Sequence, residues 1–221
     1  MFSRRASAFQ SASLRKAGAW LGWLLALSAL PAAADDWRLV YKSGAAQVEA
    51  QRTESGFDRH RGLVSVCGAM TEVTTFAADV EGFPEWVSFT EESRLISRSP
   101  ERTVFYLRNS APWPWKSRDM VYELIPDIVD EHTVRVAMNG LPDELPAVRG
   151  VVRMSVAEGE WYFHAGQGGE LEVGLSLYVE PGRAPKLFAN RRSAHMIGDT
   201  LAALAQRFPC STSAQQATQA Q

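Results

Sequence analysis

Apolar and polar residues alternate along the central part of the chain, and this period of two predicts β-strands from Arg94 to Val179. The last segment of this region shows the alternation most clearly. One of its faces carries Leu171, Val173, Leu175 and Leu177, and the other carries Glu172, Gly174, Ser176 and Tyr178. One buried face and one solvated face are typical of an antiparallel sheet.

Turn residues divide the strand pattern into separate strands and hairpins. Gly166-Gln167-Gly168-Gly169 predicts a hairpin connection between Trp161–His164 and Leu171–Val179. A turn at Glu54–Gly56 separates two earlier strands in the same way. The other predicted strands are Gln47–Thr53, Phe57–Cys67, 103–107, 120–125, Thr133–Met138 and Val151–Val156.

Apolar residues recur at helical spacing in four segments. Trp37–Lys42, Thr71–Val80 and Glu85–Phe89 predict short helices, and a long amphipathic helix follows Pro185. The apolar stripe of that long helix consists of Leu187, Ala194, Ile197, Leu201, Leu204 and Phe208. This order of elements predicts an α+β fold in which the final helix packs in the concave face of a curved antiparallel sheet.

The first 34 residues have the pattern of a secretory signal peptide. A basic start that ends at Lys16 precedes an apolar run over residues 17–30, and the small residues Pro31–Ala34 follow. We expect cleavage near Ala34 and a periplasmic or secreted protein. An uncleaved membrane anchor is the alternative, although the apolar run is shorter than the roughly 20 residues of a spanning helix.

The predicted organisation is therefore a signal peptide over 1–34, one domain over 35–208 and a disordered tail over 209–221. Signal removal would take away four basic residues and leave 19 basic and 25 acidic ones, a net charge of −6. This balance excludes the strongly basic surface typical of nucleic-acid-binding proteins. We expect a monomer that makes at most transient contact with membranes.

Two cysteines, Cys67 and Cys210, remain after signal removal. A disulfide between them would close a loop of more than 140 residues, and an exported protein permits such a bond. Two unpaired buried thiols are the alternative. The sequence leaves both possibilities open.

Residues with catalytic potential are scattered along the chain. The histidines His60, His132, His164 and His195 lack metal-binding spacing, and no G-x-S-x-G elbow occurs. Gly166–Gly169 is not followed by the Lys-Ser/Thr pair of a phosphate-binding loop. We therefore predict a protein that is not an enzyme and that uses no cofactor or metal.

Aromatic and arginine-containing motifs carry the most specific information in the sequence. In chain order they are Glu85-Trp86, Pro112-Trp113-Pro114 with Arg118-Asp119, Val152-Arg153-Met154 with Trp161, and Gly182, Pro185 and Asn190. This series resembles the START family, the steroidogenic-regulator-related lipid-transfer domains, from roughly Trp37 to Phe208. Some sterol-type members carry a second arginine six residues after the first one, where this chain has Leu124.

The resemblance implies a helix-grip fold, in which a curved sheet wraps around a long C-terminal helix and leaves an apolar cavity. The final helix and the loop over 180–185 would gate that cavity. Arg118 and Arg153 would orient the ligand's polar head, or alternatively form structural ion pairs with Asp119 or Glu123. The cavity candidates are Phe105, Trp113, Arg118, Arg153, Trp161, Leu175, Ala194, Ile197 and Leu201.

Three functions fit these observations, and we predict the first of them. It is binding and shuttling of a lipid or another hydrophobic small molecule. The first alternative is a cyclase-like enzyme on the same fold, which would need titratable groups inside the cavity. The second alternative is an interaction module with a filled core, which a ligand-sized cavity would argue against.

Overall fold

Ten β-strands of residues 36–210, the part of the chain that the computed structural model describes, form one curved sheet that does not close. The predicted signal peptide, and the predicted tail beyond Cys210, lie outside these residues and stay predictions. The strands are β1 Arg38–Ser43, β2 Ala46–Gln51, β3 Arg59–Cys67, β4 Thr90–Arg98, β5 Thr103–Asn109, β6 Arg118–Ile128, β7 Thr133–Gly140, β8 Val152–Arg153, β9 Val156–Ala165 and β10 Glu170–Glu180.

The sheet brings the last strand into its centre. The strand order is β1-β2-β3-β10-β9-β7-β6-β5-β4 with antiparallel neighbours, and the short β8 pairs with β6 in parallel. Leu175 of β10 therefore lies opposite both Gly62 of β3 and Trp161 of β9. Because side chains alternate between the two faces of a strand, the apolar residues of neighbouring strands meet on one face.

Three α-helices lie within the described residues: α1 Met70–Ala77, α2 Phe83–Trp86 and α3 Lys186–Arg207. A single 3₁₀ turn, Val80–Gly82, precedes α2. The long helix α3 packs on the inner sheet face with Ala194, Ile197, Leu201 and Leu204 buried. The predicted α+β architecture is confirmed. None of these helices is both long and apolar enough to cross a membrane.

Some local predictions are wrong. Trp37–Lys42 is not a helix, because Arg38–Ser43 pairs with β2 as the edge strand of the sheet. Val151–Val156 is not one strand; it divides into β8 and the first residue of β9. Leu187, assigned to the buried stripe of the last helix, is 83% exposed because α3 has only just begun at this position.

Cys67 and Cys210 form a disulfide with a Cα–Cα distance of 4.8 Å. The bond joins the end of β3 to the residues just after α3. The backbone N–H of Cys67 also donates to the carbonyl of Phe208 at 3.0 Å. The C-terminal end of α3 is thus fixed to the sheet, whereas its N-terminal end lies at the site described next.

Candidate functional site

An apolar cavity of about 120 Å³ lies between the inner sheet face and the first half of α3. Its walls come mainly from β5, β6, β9 and β10. They include Phe105, Leu107, Tyr122, Trp161, Leu175 and Leu177. Ligand pockets usually enclose about 300–1,000 Å³, so a lipid-sized ligand requires the walls to move apart.

The alternation along each strand determines which residues reach the cavity. On β5 the side chains of Phe105, Leu107 and Asn109 line it. On α3 the lining positions are Phe188, Ala189, Arg192, Ser193 and Met196, which share one helix face through three- and four-residue spacings. The face of α3 that lines the cavity is a different face from the one that packs directly on β3.

One end of the cavity is cationic. Arg118, at the start of β6, donates from Nη1 to the carbonyl of Lys116 and from Nε to the carbonyl of Pro181 at 3.4 Å. Arg192 of α3 donates from Nη2 to the carbonyl of Ser110 at 2.6 Å, and its guanidinium lies 3.7 Å from the centre of the Phe89 ring. Both side chains line the cavity.

Burial disfavours the charge on both arginines. It lowers the pKa of Arg118. It also lowers the pKa of Arg192, and the positive charge of Arg118 lowers it further. At the apolar part of the cavity, burial raises the pKa of the Tyr122 phenol, which therefore stays neutral and able to donate a hydrogen bond.

We call the region where the loop before α3 meets the segment before β6 the mouth of the cavity. Pro181 and Ala184 line the cavity from this loop, and Gly182 between them has a φ of +74°, which favours glycine. Across the mouth, the ring of Trp115 stacks on Phe188 with centroids 6.1 Å apart. The peptide bond between Trp113 and Pro114 is cis.

Four of the nine predicted cavity residues line the cavity: Phe105, Arg118, Trp161 and Leu175. Trp113 does not, because its side chain is 92% exposed at the surface. Ala194, Ile197 and Leu201 do not line it either. They are buried against the strands, where Ile197 and Leu201 cover Gly62 of β3 so closely that an added Cβ would lie 2.7 Å from Ile197.

Arg153 was predicted as a head-group ligand, and the structure assigns it the alternative role. Its Nε and Nη2 donate to the two carboxylate oxygens of Asp119 at 3.0 and 3.2 Å. Its Nη1 donates to the carbonyls of Pro142 and Leu145 at 2.5 and 3.0 Å. This buried bidentate pair joins β8 to β6 and lies outside the cavity lining.

Sequence reasoning missed Arg192 and Asn109. Arg192 does not belong to the predicted apolar stripe of the last helix, since a charged residue in an amphipathic helix usually faces water. The signal that could have found it is its position: Arg192 lies three to four residues after Phe188 and Ala189, on the face that reaches the cavity. Within residues 36–210, no group of three His, Cys, Asp or Glu side chains could hold a metal ion.

No family model matches the chain. An uncharacterized protein of Pseudomonas aeruginosa is 25% identical over 161 residues, which cover 72% of this chain and 80% of that protein. A STAR-related lipid transfer protein from Xanthomonas axonopodis has a similar crystal structure, with a TM-score of 0.72 and 27% identity over 78% of this chain and 98% of that chain. The chain has the START fold.

Two human START structures support the fold at lower identity. STARD10 superimposes with a TM-score of 0.65 and 19% identity, covering 77% of this chain and 73% of that chain. The StarD13 lipid transfer and protein localization domain has a TM-score of 0.67 and 11% identity, covering 79% of this chain and 90% of that chain. The START resemblance and the helix-grip architecture predicted from the sequence are therefore confirmed.

Proposed function

We propose that the protein binds a lipid or another hydrophobic small molecule in the START cavity and transfers it between membranes outside the cytoplasm. The observation that carries this proposal is the apolar cavity between the sheet and α3, walled by Phe105, Trp161 and Leu175. A ligand that binds such a space only in the folded state stabilises that state, and the stabilisation grows with the ratio of the ligand concentration to Kd. The lipid-transfer protein from Xanthomonas axonopodis, which shares the fold, supports the same function.

The mouth supplies both a gate and a surface for membrane contact. Trp115 stacks on Phe188, which lines the cavity, so in this proposal the loop over 180–185 and the start of α3 move outward to admit the ligand. Two large apolar side chains next to this stack are exposed, Trp113 at 92% and Leu187 at 83%. Amphipathic rings such as that of Trp113 favour the membrane–water interface.

A location outside the cytoplasm is supported by two independent features. The N-terminal segment has the composition of a secretory signal. The disulfide between Cys67 and Cys210 suits an oxidising compartment, because cytoplasmic thiols are kept reduced. Fractionation of cells that express the full chain, with the mature N-terminus read by mass spectrometry, tests this part of the proposal.

Displacement of an apolar fluorescent probe by single-chain lipids tests ligand binding in solution. Ala189→Trp should remain folded and lose most of the binding, because Ala189 faces the cavity and a large ring would occupy it. Gln206→Trp, on an exposed position of the same helix, is the control and should bind as the wild type does. Unchanged binding by a folded Ala189→Trp protein would place the ligand elsewhere.

A further inference from the structure

The two arginines at the cationic end of the cavity differ from four arginines on or beside the neighbouring strands. Arg94, Arg102, Arg108 and Arg153 each have a carboxylate oxygen within 4 Å. Within residues 36–210, neither Arg118 nor Arg192 has one, and their recorded hydrogen-bond acceptors are backbone carbonyls and the Ser110 hydroxyl. Neutral oxygens satisfy N–H groups but leave the two positive charges uncompensated.

A third donor lies at the same end. The Nδ2 of Asn109 is buried and has no hydrogen-bond partner within the described part of the chain. Asn109 lines the cavity and pairs with Arg118 across β5 and β6. A buried donor without an acceptor is costly, so this amide favours a ligand that brings one.

Among the described residues, the lining contains no acidic side chain that could take the place of such a ligand. The positive charge of Arg118 also raises the cost of charging Arg192. The protein as a whole carries more acidic than basic side chains, so the charge at this end of the cavity is opposite in sign to the net charge of the protein. An oxyanion between the two guanidinium groups would compensate both charges and accept the hydrogen bond of Asn109.

We propose that the cavity ligand is an anionic amphiphile whose carboxylate or phosphate head binds Arg118, Arg192 and Asn109, with its apolar tail along Phe105 and Leu175. This inference rests on the proposed ligand-binding function and specifies the chemistry of the ligand. Guanidinium groups bind both kinds of oxyanion through charge-assisted hydrogen bonds. The cavity therefore favours an oxyanion as the ligand's head, and the experiment distinguishes a carboxylate head from a phosphate head.

Three ligands with the same tail test the head-group preference: dodecanoate, dodecyl phosphate and dodecanol. Calorimetric titration of the wild-type protein should show at least one anion binding about tenfold or more tightly than dodecanol. The preferred anion identifies the head. Equal binding of all three would overturn the anionic inference and leave hydrophobic binding intact, whereas no binding by any of them would count against the proposed function itself.

Charge-removing variants locate the effect. Arg118→Gln and Arg192→Gln should each lose most of the preference for the anion over dodecanol. Arg191→Gln, an exposed neighbour on α3 with the same change in net charge, is the control and should keep the preference. If a Gln variant fails to fold, the comparison of ligands on the wild-type protein still decides the proposal. An anion preference that survives both substitutions in folded protein would overturn this assignment.

Discussion

Two arginines that occur in similar motifs have different surroundings, since Arg153 pairs with a carboxylate and Arg118 lines the cavity. Arg118 and Arg153 each precede or follow apolar strand residues, so the sequence alone could not separate a ligand-binding role from an ion pair. Asp119 accepts from Arg153 through both carboxylate oxygens. Because Asp119 points away from Arg118 on the strand, its carboxylate compensates one arginine and not the other.

A single buried histidine should make the fold sensitive to acid. His60 of β3 is 1% exposed, and burial lowers its pKa to about 4, with Arg38 adding to and Asp58 opposing this shift. The unfolded chain takes up a proton below a pKa of about 6.5, whereas folded His60 stays neutral. The free energy of unfolding should therefore fall by up to about 3 kcal/mol as the pH decreases from 6.5 to 4.

Urea unfolding at several pH values measures this effect. His60→Gln should remove most of the His60 contribution, so that its free energy of unfolding declines less steeply than that of the wild type over this pH range. His132→Gln is the matched control, because His132 is exposed. A His60→Gln profile parallel to the wild-type profile would show that other groups govern the acid sensitivity.

At the level of elements, patterns with a clear period were predictable and short ones were not. The alternation in β10 and the long stripe of α3 gave the correct element and the correct buried face. The segment Trp37–Lys42 is only six residues long, so helical and strand periods fit it equally well. Its strand conformation depends on pairing with β2, and the guanidinium of Arg61 lies 4.1 Å from the ring centre of Trp37, just before the strand.

The cavity residues of α3 could not be predicted from the stripe alone. A periodic pattern identifies a buried face, but packing decides which part of that face meets another element and which part meets empty space. Gly62 allows α3 to approach β3 at Ile197 and Leu201. The helix is therefore in solid contact there, and the cavity lies nearer its N-terminal end, at Phe188, Arg192 and Met196.

This close approach predicts that Gly62→Ala destabilises the protein. The new methyl group would lie 2.7 Å from Ile197 and 2.8 Å from Leu201, both held in the core, so α3 would have to shift. We expect a loss of about 1–3 kcal/mol in the free energy of unfolding. Gly174→Ala is the control in the neighbouring strand, because its nearest atom is the end of the partly exposed Leu63 side chain at 3.0 Å. Equal losses would contradict a specific role for the contact with α3.

For the whole molecule, the exposed apolar residues at the mouth predict how the protein meets a membrane. The double variant Trp113→Ala, Leu187→Ala should transfer a fluorescent lipid between vesicles several-fold more slowly, while its affinity for a dissolved probe stays unchanged. Ile128→Ala is the control, since Ile128 is 77% exposed but lies about 33 Å from the mouth along β6. Similar slowing by the control would indicate a nonspecific effect of surface hydrophobicity.

The two ends of α3 predict where the molecule opens. The C-terminal end is tied to β3 by the disulfide. The N-terminal end is held only by non-covalent contacts, including the stack of Trp115 on Phe188 and hydrogen bonds of Lys186, Asn190 and Arg192. An aromatic stack or a hydrogen bond contributes only about 0.5–1.5 kcal/mol and can break reversibly, so this end should separate from the sheet more readily than the disulfide-linked end. Gly182 supplies the backbone freedom for this movement.

Cross-linking across the mouth should therefore stop ligand exchange. In the double variant Trp115→Cys, Phe188→Cys, a short bismaleimide would join the two sides of the opening irreversibly, without any need to reduce the disulfide between Cys67 and Cys210. We expect release of a preloaded fluorescent lipid to slow at least tenfold after cross-linking. The two single variants, treated with the same reagent, should release lipid at the rate of the untreated double variant. Unchanged release from the cross-linked protein would show that ligand passes through another part of the wall, and that the loop over 180–185 is not the gate.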